Sequence, residues 1–349
     1  MKVFKKTISV TLSLLFISNF FVGCKEDSLD KKESLEEIKI GVSVYEKSDA
    51  FICSILENLE KIIDEKNLEN KYKFTLTIED AKKNQYNQNE QVDNFINQEY
   101  DVMCINLVDR RSASFIIDKA KNSNIPIVFF NREPVEQDMN LWDKIHYVGA
   151  KSEESGIMQG DIILDIYNKD KKQIDKNNDS KIQYVMLEGE AEHQDSLIRT
   201  EYSVKRLLDN GLKVEKLESD IANWNRDEAC EKMDNWVKKY GDKIEVVFSN
   251  NDEMALGAID ALKKSEKKDM PIIVGVDGIS DALAAIKDRS LTGTVFSDSY
   301  KQAEIIFKVA YMEASLEGSK EEREALNKKY IRNGYKAVTK DNIDSIIEY

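Results

Sequence analysis

Asp195 and Arg199 stand four residues apart, a spacing that puts them on one helix face, where a guanidinium and a carboxylate pair as a fork. His193, one of two histidines in 349 residues, precedes that pair by two positions. All three follow the apolar run Ile182 to Leu187 and the turn Glu188-Gly189-Glu190. A strand that leads through a glycine-containing turn into a helix start is where α/β folds place ligands. The same pair also reads as a plain ion pair on a helix surface, which contributes little.

Other strand ends carry related residues. Asp49 and Phe51 follow the first apolar run, Asn106 the third, Asn131-Arg132-Glu133 the fourth, and Asn223-Trp224, Asn251 and Asp277 later ones. Each Asp or Asn alone reads as a helix cap. Acids, amides, a histidine and two aromatics at junction after junction have a shared chemistry. Planar Asp, Asn and Arg groups hold sugar hydroxyls bidentately, and aromatic rings such as Phe51 and Trp224 stack on the C–H faces of a sugar ring. There is no phosphate-cradling glycine loop and no thiol nucleophile motif, so a neutral monosaccharide fits best.

Ten strand-like runs position these residues, at 38–45, 72–78, 101–105, 126–130, 145–148, 182–187, 213–217, 244–248, 271–276 and 293–296. Nine helix-like segments alternate with them, from 49–66 to 299–317. Strict alternation predicts parallel sheets with helices on both faces, and ten strands predict two sheets rather than one. A cleft between two such domains, at the carboxyl ends of their strands, is the expected site.

At the amino end, Lys2, Lys5 and Lys6 precede the apolar run Thr7 to Val22, then Gly23-Cys24. That pattern reads as a secretory signal over 1–23, with Cys24 a lipid-carrying first residue as in a lipobox, although Phe21 stands where Leu is preferred. An uncleaved anchor is the alternative. Residues 24–37 are charged and read as a tether, membrane contact being through the lipid alone. Net charge is −14, and −17 once the three signal lysines are removed, which argues against nucleic acid or phosphate ligands. The remaining Cys53, Cys104 and Cys230 have no C-x-x-C spacing and read as free thiols.

The stretch Asp175, Asn177, Asp179, Lys181 (through its carbonyl) and Gln183 matches the first nine positions of an EF-hand-type calcium loop. Ser180 stands at the usual glycine, and Met186 where the twelfth-position Glu belongs. The alternative is a polar turn.

The motifs I-G-V-x-x-Y…D-x-F at 40–51, I-N-L-V-D at 105–109, I-P-I-V-F-F-N-R-E-P at 125–134, Y-V-G-A-K-S-E-E-S-G-I-M-Q-G-D at 147–161, I-E-V-V-F-S-N-N-D at 244–252 and V-G-V-D at 274–277 resemble the D-galactose/D-glucose-binding proteins of bacterial ABC transport and chemotaxis. These are type I periplasmic binding proteins. The resemblance implies two doubly wound lobes joined by a multi-strand hinge, one over 38–128 and 299–332, the other over 129–298 and 333–349. It implies Asp49, Asn106, His193, Asp195, Arg199, Asn251 and Asp277 as hydrogen-bonding sugar ligands, Phe51 and Trp224 as stacking rings, and Ser297 where the family has Asn. It supplies Glu245 as the missing bidentate calcium ligand. It also implies a monomeric, non-enzymatic receptor for D-galactose or D-glucose that docks on an ABC permease, and on a chemoreceptor as a second partner. A sensor module and a glycosidase using two of Asp49, Asp195 and Asp277 are the competing readings. A repressor is disfavoured by the export signal.

Overall fold

The computed structural model describes residues 35–265, 269–326 and 328–347. The signal segment, Cys24 and most of the tether lie outside them. No described helix is long and apolar enough to cross a membrane.

The first half builds one sheet. Strands β1 (Glu37–Val44), β2 (Lys73–Asp80), β3 (Val102–Ile105), β4 (Ile127–Phe130) and β5 (Ile145–Gly149) alternate with helices α1 (Ala50–Leu68), α2 (Gln85–Asn97) and α3 (Ala113–Ser123). Helix α4 (Ser152–Lys169) then leads to a second sheet: β6 (Ile182–Glu188), β7 (Val214–Ile221), β8 (Val246–Ser249), β9 (Ile272–Asp277) and β10 (Gly293–Ser297). Its helices are α5 (Gln194–Asp209), α6 (Arg226–Tyr240), α7 (Asp252–Lys264) and α8 (Ser280–Lys287). The chain returns through α9 (Ser299–Ser315) and α10 (Lys320–Leu326), gives β11 (Tyr330–Arg332) to the first sheet and β12 (Tyr335–Thr339) to the second, and ends in α11 (Asp344–Ile347).

The strand orders, β11-β5-β4-β3-β1-β2 and β12-β10-β9-β8-β6-β7, repeat one topology. Pairing is parallel except where β12 runs against β10, Tyr335 opposite Ser297. Central strands such as Val-Met-Cys-Ile in β3 and Ile-Val-Phe-Phe in β4 are buried at every position, as sheets covered on both faces require. Helix α1 shows the complementary logic. Asp49 caps it by accepting from the Ile52 N–H, and Ile52, Ile55, Leu59, Ile62 and Ile63 recur at helical spacing on its buried side.

The lobe boundary differs from the expected one. Residues 129–149, expected in the second lobe, carry half of β4 and all of β5, which pair with β3 and β11 in the first sheet. The chain crosses between lobes after β5, after β10 and between β11 and β12. The strands that make the second and third crossings productive, β11 and β12, are short and half-polar, and periodicity alone did not mark them. The described cysteines are all free, Cys104 buried and Cys53 and Cys230 half-buried.

Candidate functional site

A narrow cavity lies between the lobes, lined by Tyr45, Asp49, Phe51, Asn131 and Arg132 from the first and by His193, Asp195, Arg199, Trp224, Asn251 and Asp277 from the second. These residues come from the carboxyl ends of strands or the segments that follow them, with Phe51, Asp195 and Arg199 in the opening turns of the helices that come after.

The second lobe holds its groups in a buried network. Arg199, 6% exposed, donates through Nη1 to the Asn250 carbonyl (2.9 Å), through Nε to Ser155 Oγ (3.2 Å), and through Nη2 to Asp195 and to the Tyr335 hydroxyl (3.3 Å each). Ser152 Oγ donates to the other Asp195 oxygen at 2.5 Å. Burial works to raise the Asp195 pKa, but Arg199, His193 and Ser152 outweigh it, so the group stays a carboxylate with a lowered pKa. The Asp195–Arg199 pair is thus buried and not a surface ion pair, but it is joined by one 3.3 Å contact and not by the two-pronged fork its spacing suggested.

His193 caps α5 by accepting from the Asp195 N–H through Nδ1, which leaves Nε2 as the protonated nitrogen of the neutral ring. Burial, reinforced by the nearby Arg132 charge, lowers its pKa to about 3, so the ring is a neutral donor at any physiological pH. Its edge meets Trp224 at 5.1 Å and 79°. Trp224 and Asn223 both have left-handed backbones (φ 63° and 50°), a strained pair that swings the indole over Gly189. A Cβ at Gly189 would stand 2.1 Å from the ring, so only glycine admits it there.

Asp277 is the exception to this satisfaction. It is 8% exposed, its φ is 120°, and among the described residues no donor reaches its carboxylate. Burial, with Asp252, Asp49 and Asp195 nearby, pushes its pKa well above the ordinary value against the pull of Arg199. Buried Asp252 holds the strained turn by accepting from the Gly278 (2.6 Å) and Ile279 (3.2 Å) N–H groups and from Thr294 (2.6 Å). Burial pushes the Asp252 pKa up to about 7. Asn251 caps α7 and donates to the Trp224 carbonyl.

In the first lobe Asp49 accepts from the Ile52 N–H and the Tyr45 hydroxyl, and Phe51 backs onto the lobe's core. Two expected ligands stand apart from the cavity lining. Asn106 is fully buried, with its amide taken up by the Tyr45 N–H, the Phe130 carbonyl and Asn131, so it staples strand ends together. Ser297 is buried at the end of β10, against β12. In their place the lining contains Tyr45, Asn131 and Arg132, which follow strands as the expected ligands do but stood outside the expected ligand set. The Arg132 guanidinium lies 3.5 Å above the Tyr45 ring. It also pairs across the cleft with Glu190 at 2.7 Å, which Lys83 reaches at 3.2 Å, and Arg111 pairs with Glu192 at 2.6 Å. These pairs draw the lobes together.

Residues 40–320 match the family described as periplasmic binding protein domain. The chain belongs to the periplasmic binding protein family. It is 36% identical to the D-galactose/methyl-galactoside binding periplasmic protein of Haemophilus influenzae, over 89% of this chain and 92% of that one. It is 29% identical to the xylitol-binding protein of Mycolicibacterium smegmatis, over 89% and 80%. Among solved structures, an ABC transporter solute binding protein from Bacillus halodurans with bound myo-inositol superposes with TM-score 0.75 and 28% identity, over 91% of this chain and all of that one. A periplasmic binding protein is an exported receptor, so this chain is a binding protein and not an enzyme.

At the opposite end of β6 lies the proposed calcium loop. Asn178 and Ser180 have left-handed backbones (φ 58° and 63°), so Ser180 makes the turn expected of glycine. Asp175 is 1% exposed; its Oδ2 accepts from the Ser180 N–H, while its Oδ1 is buried with no partner. Asp179 accepts from the Lys181 N–H and the Asn177 and Gln183 amides, and Glu245 accepts from the Lys176 and Gln183 N–H groups. Burial raises the Glu245 pKa. The oxygen donors suit a hard cation and Asp175 Oδ1 lacks a partner. Among the described residues, however, no three acid, imidazole or thiol groups converge as a metal cluster.

Proposed function

We propose that the protein binds one monosaccharide, D-galactose or D-glucose, between its lobes and presents the closed form to an ABC permease, with the same closed form available to a chemoreceptor. One observation carries this reading: an interlobe cavity combines a neutral imidazole donor, the paired Asp195 and Arg199, the unmatched Asp277 carboxylate and the rings of Trp224 and Phe51. That set offers acceptors and donors to hydroxyls and apolar walls to ring faces. The names of similar proteins, a galactoside binder, a xylitol binder and an inositol complex, support a polyhydroxylated ligand. A glycosidase is disfavoured by the family, and because Asp195 is held ionised by fixed partners. Calorimetric titration of the mature body against hexoses and pentoses tests the reading. One site per chain with a hexose preferred supports it, and ribose binding tighter than galactose and glucose removes it.

We further propose that Cys24 carries a lipid that tethers the exported body to the membrane. Mass spectrometry of the membrane-bound form should find the diacylglyceryl adduct on that residue. The loop Asp175 to Gln183, with Glu245, is proposed to take Ca²⁺ as a staple between two distant segments, away from the sugar. An ion that binds only the folded protein adds roughly 2.7 kcal/mol at a hundredfold excess over Kd. Chelator should then lower the melting temperature while leaving sugar affinity nearly unchanged, and Glu245→Gln should reproduce that loss. A melting temperature indifferent to chelator and to added calcium makes the loop a polar turn.

A further inference from the structure

The ion pairs that cross the cleft are built unevenly. On the first lobe the cations are held by their own side. Asp109 grips Arg111 at Nε and Nη2, both at 3.0 Å. Arg132 donates through Nη1 to the Val108 carbonyl (3.0 Å) while its guanidinium lies on the Tyr45 ring. Lys83 sits in a left-handed turn (φ 56°) whose N–H donates to the Tyr45 carbonyl. These three come from the segments after β2, β3 and β4, whereas the acids that answer them, Glu190 and Glu192, share the one loop between β6 and α5. Among the described residues, those two carboxylates have no hydrogen-bond or ion-pair partner in their own lobe. Their partners all stand across the cleft.

Cations fixed in advance lose little freedom on meeting acids that have no partner at home. Arg132–Glu190 is the most enclosed pair, its side chains 9% and 23% exposed, and Arg111–Glu192 the least, at 66% and 76%. Burial works to raise the Glu190 pKa, but Arg132 and Lys83 outweigh it and keep the group a carboxylate. Inside the cavity like charges meet instead. Asp49 of the first lobe is among the groups that push up the pKa of Asp277 in the second. That repulsion resists closure of an empty cleft. Asp277 is shut away from solvent ions while Arg111 and Glu192 lie open to them, so added salt screens the attraction before the repulsion.

We propose that Lys83, Arg111 and Arg132 with Glu190 and Glu192 form an ionic clasp that closes the lobes ahead of the sugar, so that ionic strength sets the affinity for an uncharged ligand. Apparent affinity scales with the fraction of chains already in the closed, binding-competent form. The loop that carries both acids runs into His193, with Asp195 in the first turn of α5, so the clasp also sets the recognition groups. The affinity arm rests on the sugar reading of the cleft; closure itself is measured without sugar.

Glu190 and Glu192 do not line the sugar cavity, and Gln keeps their shape without the charge, so the variant is Glu190→Gln with Glu192→Gln. Small-angle X-ray scattering of sugar-free protein compares about 0.01 M with about 1 M potassium chloride, between which the screening length falls from roughly 30 Å to roughly 3 Å. The wild type should be nearly as compact as its sugar-saturated form in low salt and expand in high salt. The double variant should be expanded in both. By calorimetry, Kd for the preferred hexose should rise about fivefold from low to high salt in the wild type and stay within about twofold in the double variant. Lys83→Gln removes one arm alone and should fall between them, which keeps the test open if the double variant does not fold. Wild-type scattering indifferent to salt, or a salt step that survives undiminished in the variants, overturns the clasp. If no hexose binds, the sugar reading fails while the scattering still decides the clasp.

Discussion

The two lobes share a strand order but not a manner of contributing to the cleft. In the first lobe the polar groups are mostly taken up internally. Asn106 staples three strand ends, and Asp49 serves a helix cap and the Tyr45 hydroxyl. In the second lobe Arg199 and Asp195 are locked together by Ser152, Ser155, Asn250 and Tyr335, while Asp277 is left strained and without a donor. One lobe supplies a wall and the other a prepared recognition surface. The unpaired buried carboxylate of Asp277 is what a sugar hydroxyl would satisfy, and the indole face of Trp224 is what a sugar ring would cover.

The sharpest break in that contrast is Asp277→Asn. Losing a charge-assisted bond to a hydroxyl should cost about 3 kcal/mol of sugar affinity, roughly a hundredfold by calorimetry. The same change should raise stability at neutral pH. The folded-state pKa is raised, so stability tied to this proton is present below the unfolded value and is lost as pH rises through the folded one. The melting advantage of Asp277→Asn at pH 7 should therefore vanish near pH 4. Loss of affinity with no gain in stability would make the unpaired-charge argument wrong.

Trp224→Ala comes next, at about 2 kcal/mol of affinity from lost ring contact. Asn106→Ala reverses the pattern. It should lower the melting temperature by an amount matching about 2 kcal/mol, for the buried partners left unpaired, and affect sugar affinity less than either change in the second lobe. A larger affinity loss than that of Trp224→Ala would return Asn106 to the ligand set. The smallest effect concerns His193. The His193 contribution to sugar affinity should be flat from pH 5 to 8, because the folded ring protonates only near pH 3, so His193→Gln should leave the shape of the pH profile unchanged. Its linkage has the opposite sign to that of Asp277. The unfolded state takes up the proton first, so this residue's contribution to stability falls as pH drops from about 6.5. A step in affinity near pH 6.5 that His193→Gln abolishes would show a charged imidazole in the site.

Alternation of apolar runs and amphipathic segments made the parallel sheets legible, because buried β3 and β4 are apolar throughout and α1 repeats at helical spacing. The lobe boundary was not legible, since β4 and β5 look the same whichever sheet they join. Residue type at strand ends found Asp49, Trp224 and Asp277, but type does not say where an amide points. Asn106 and Asn131 both follow strands, and only the backbone around them directs one into the lobe and the other to the cleft. Arg132 was visible at a strand end, but its pairing with Glu190 across the cleft was not, because residue type does not tell which opposite charge the fold brings near.

The central claim is that a sugar ring sits against Trp224 in the interlobe cavity, and tryptophan fluorescence reads this directly. The other two tryptophans lie elsewhere: Trp236 is buried in the core of the second lobe, and Trp142 is half-buried against the first. Titration with the preferred hexose should change the emission with one-to-one saturation in the wild type and in Trp142→Phe. In Trp224→Phe the signal should disappear while weakened binding is still detected by calorimetry. A sugar-dependent change that survives Trp224→Phe undiminished would contradict the placement of the ligand in this cleft.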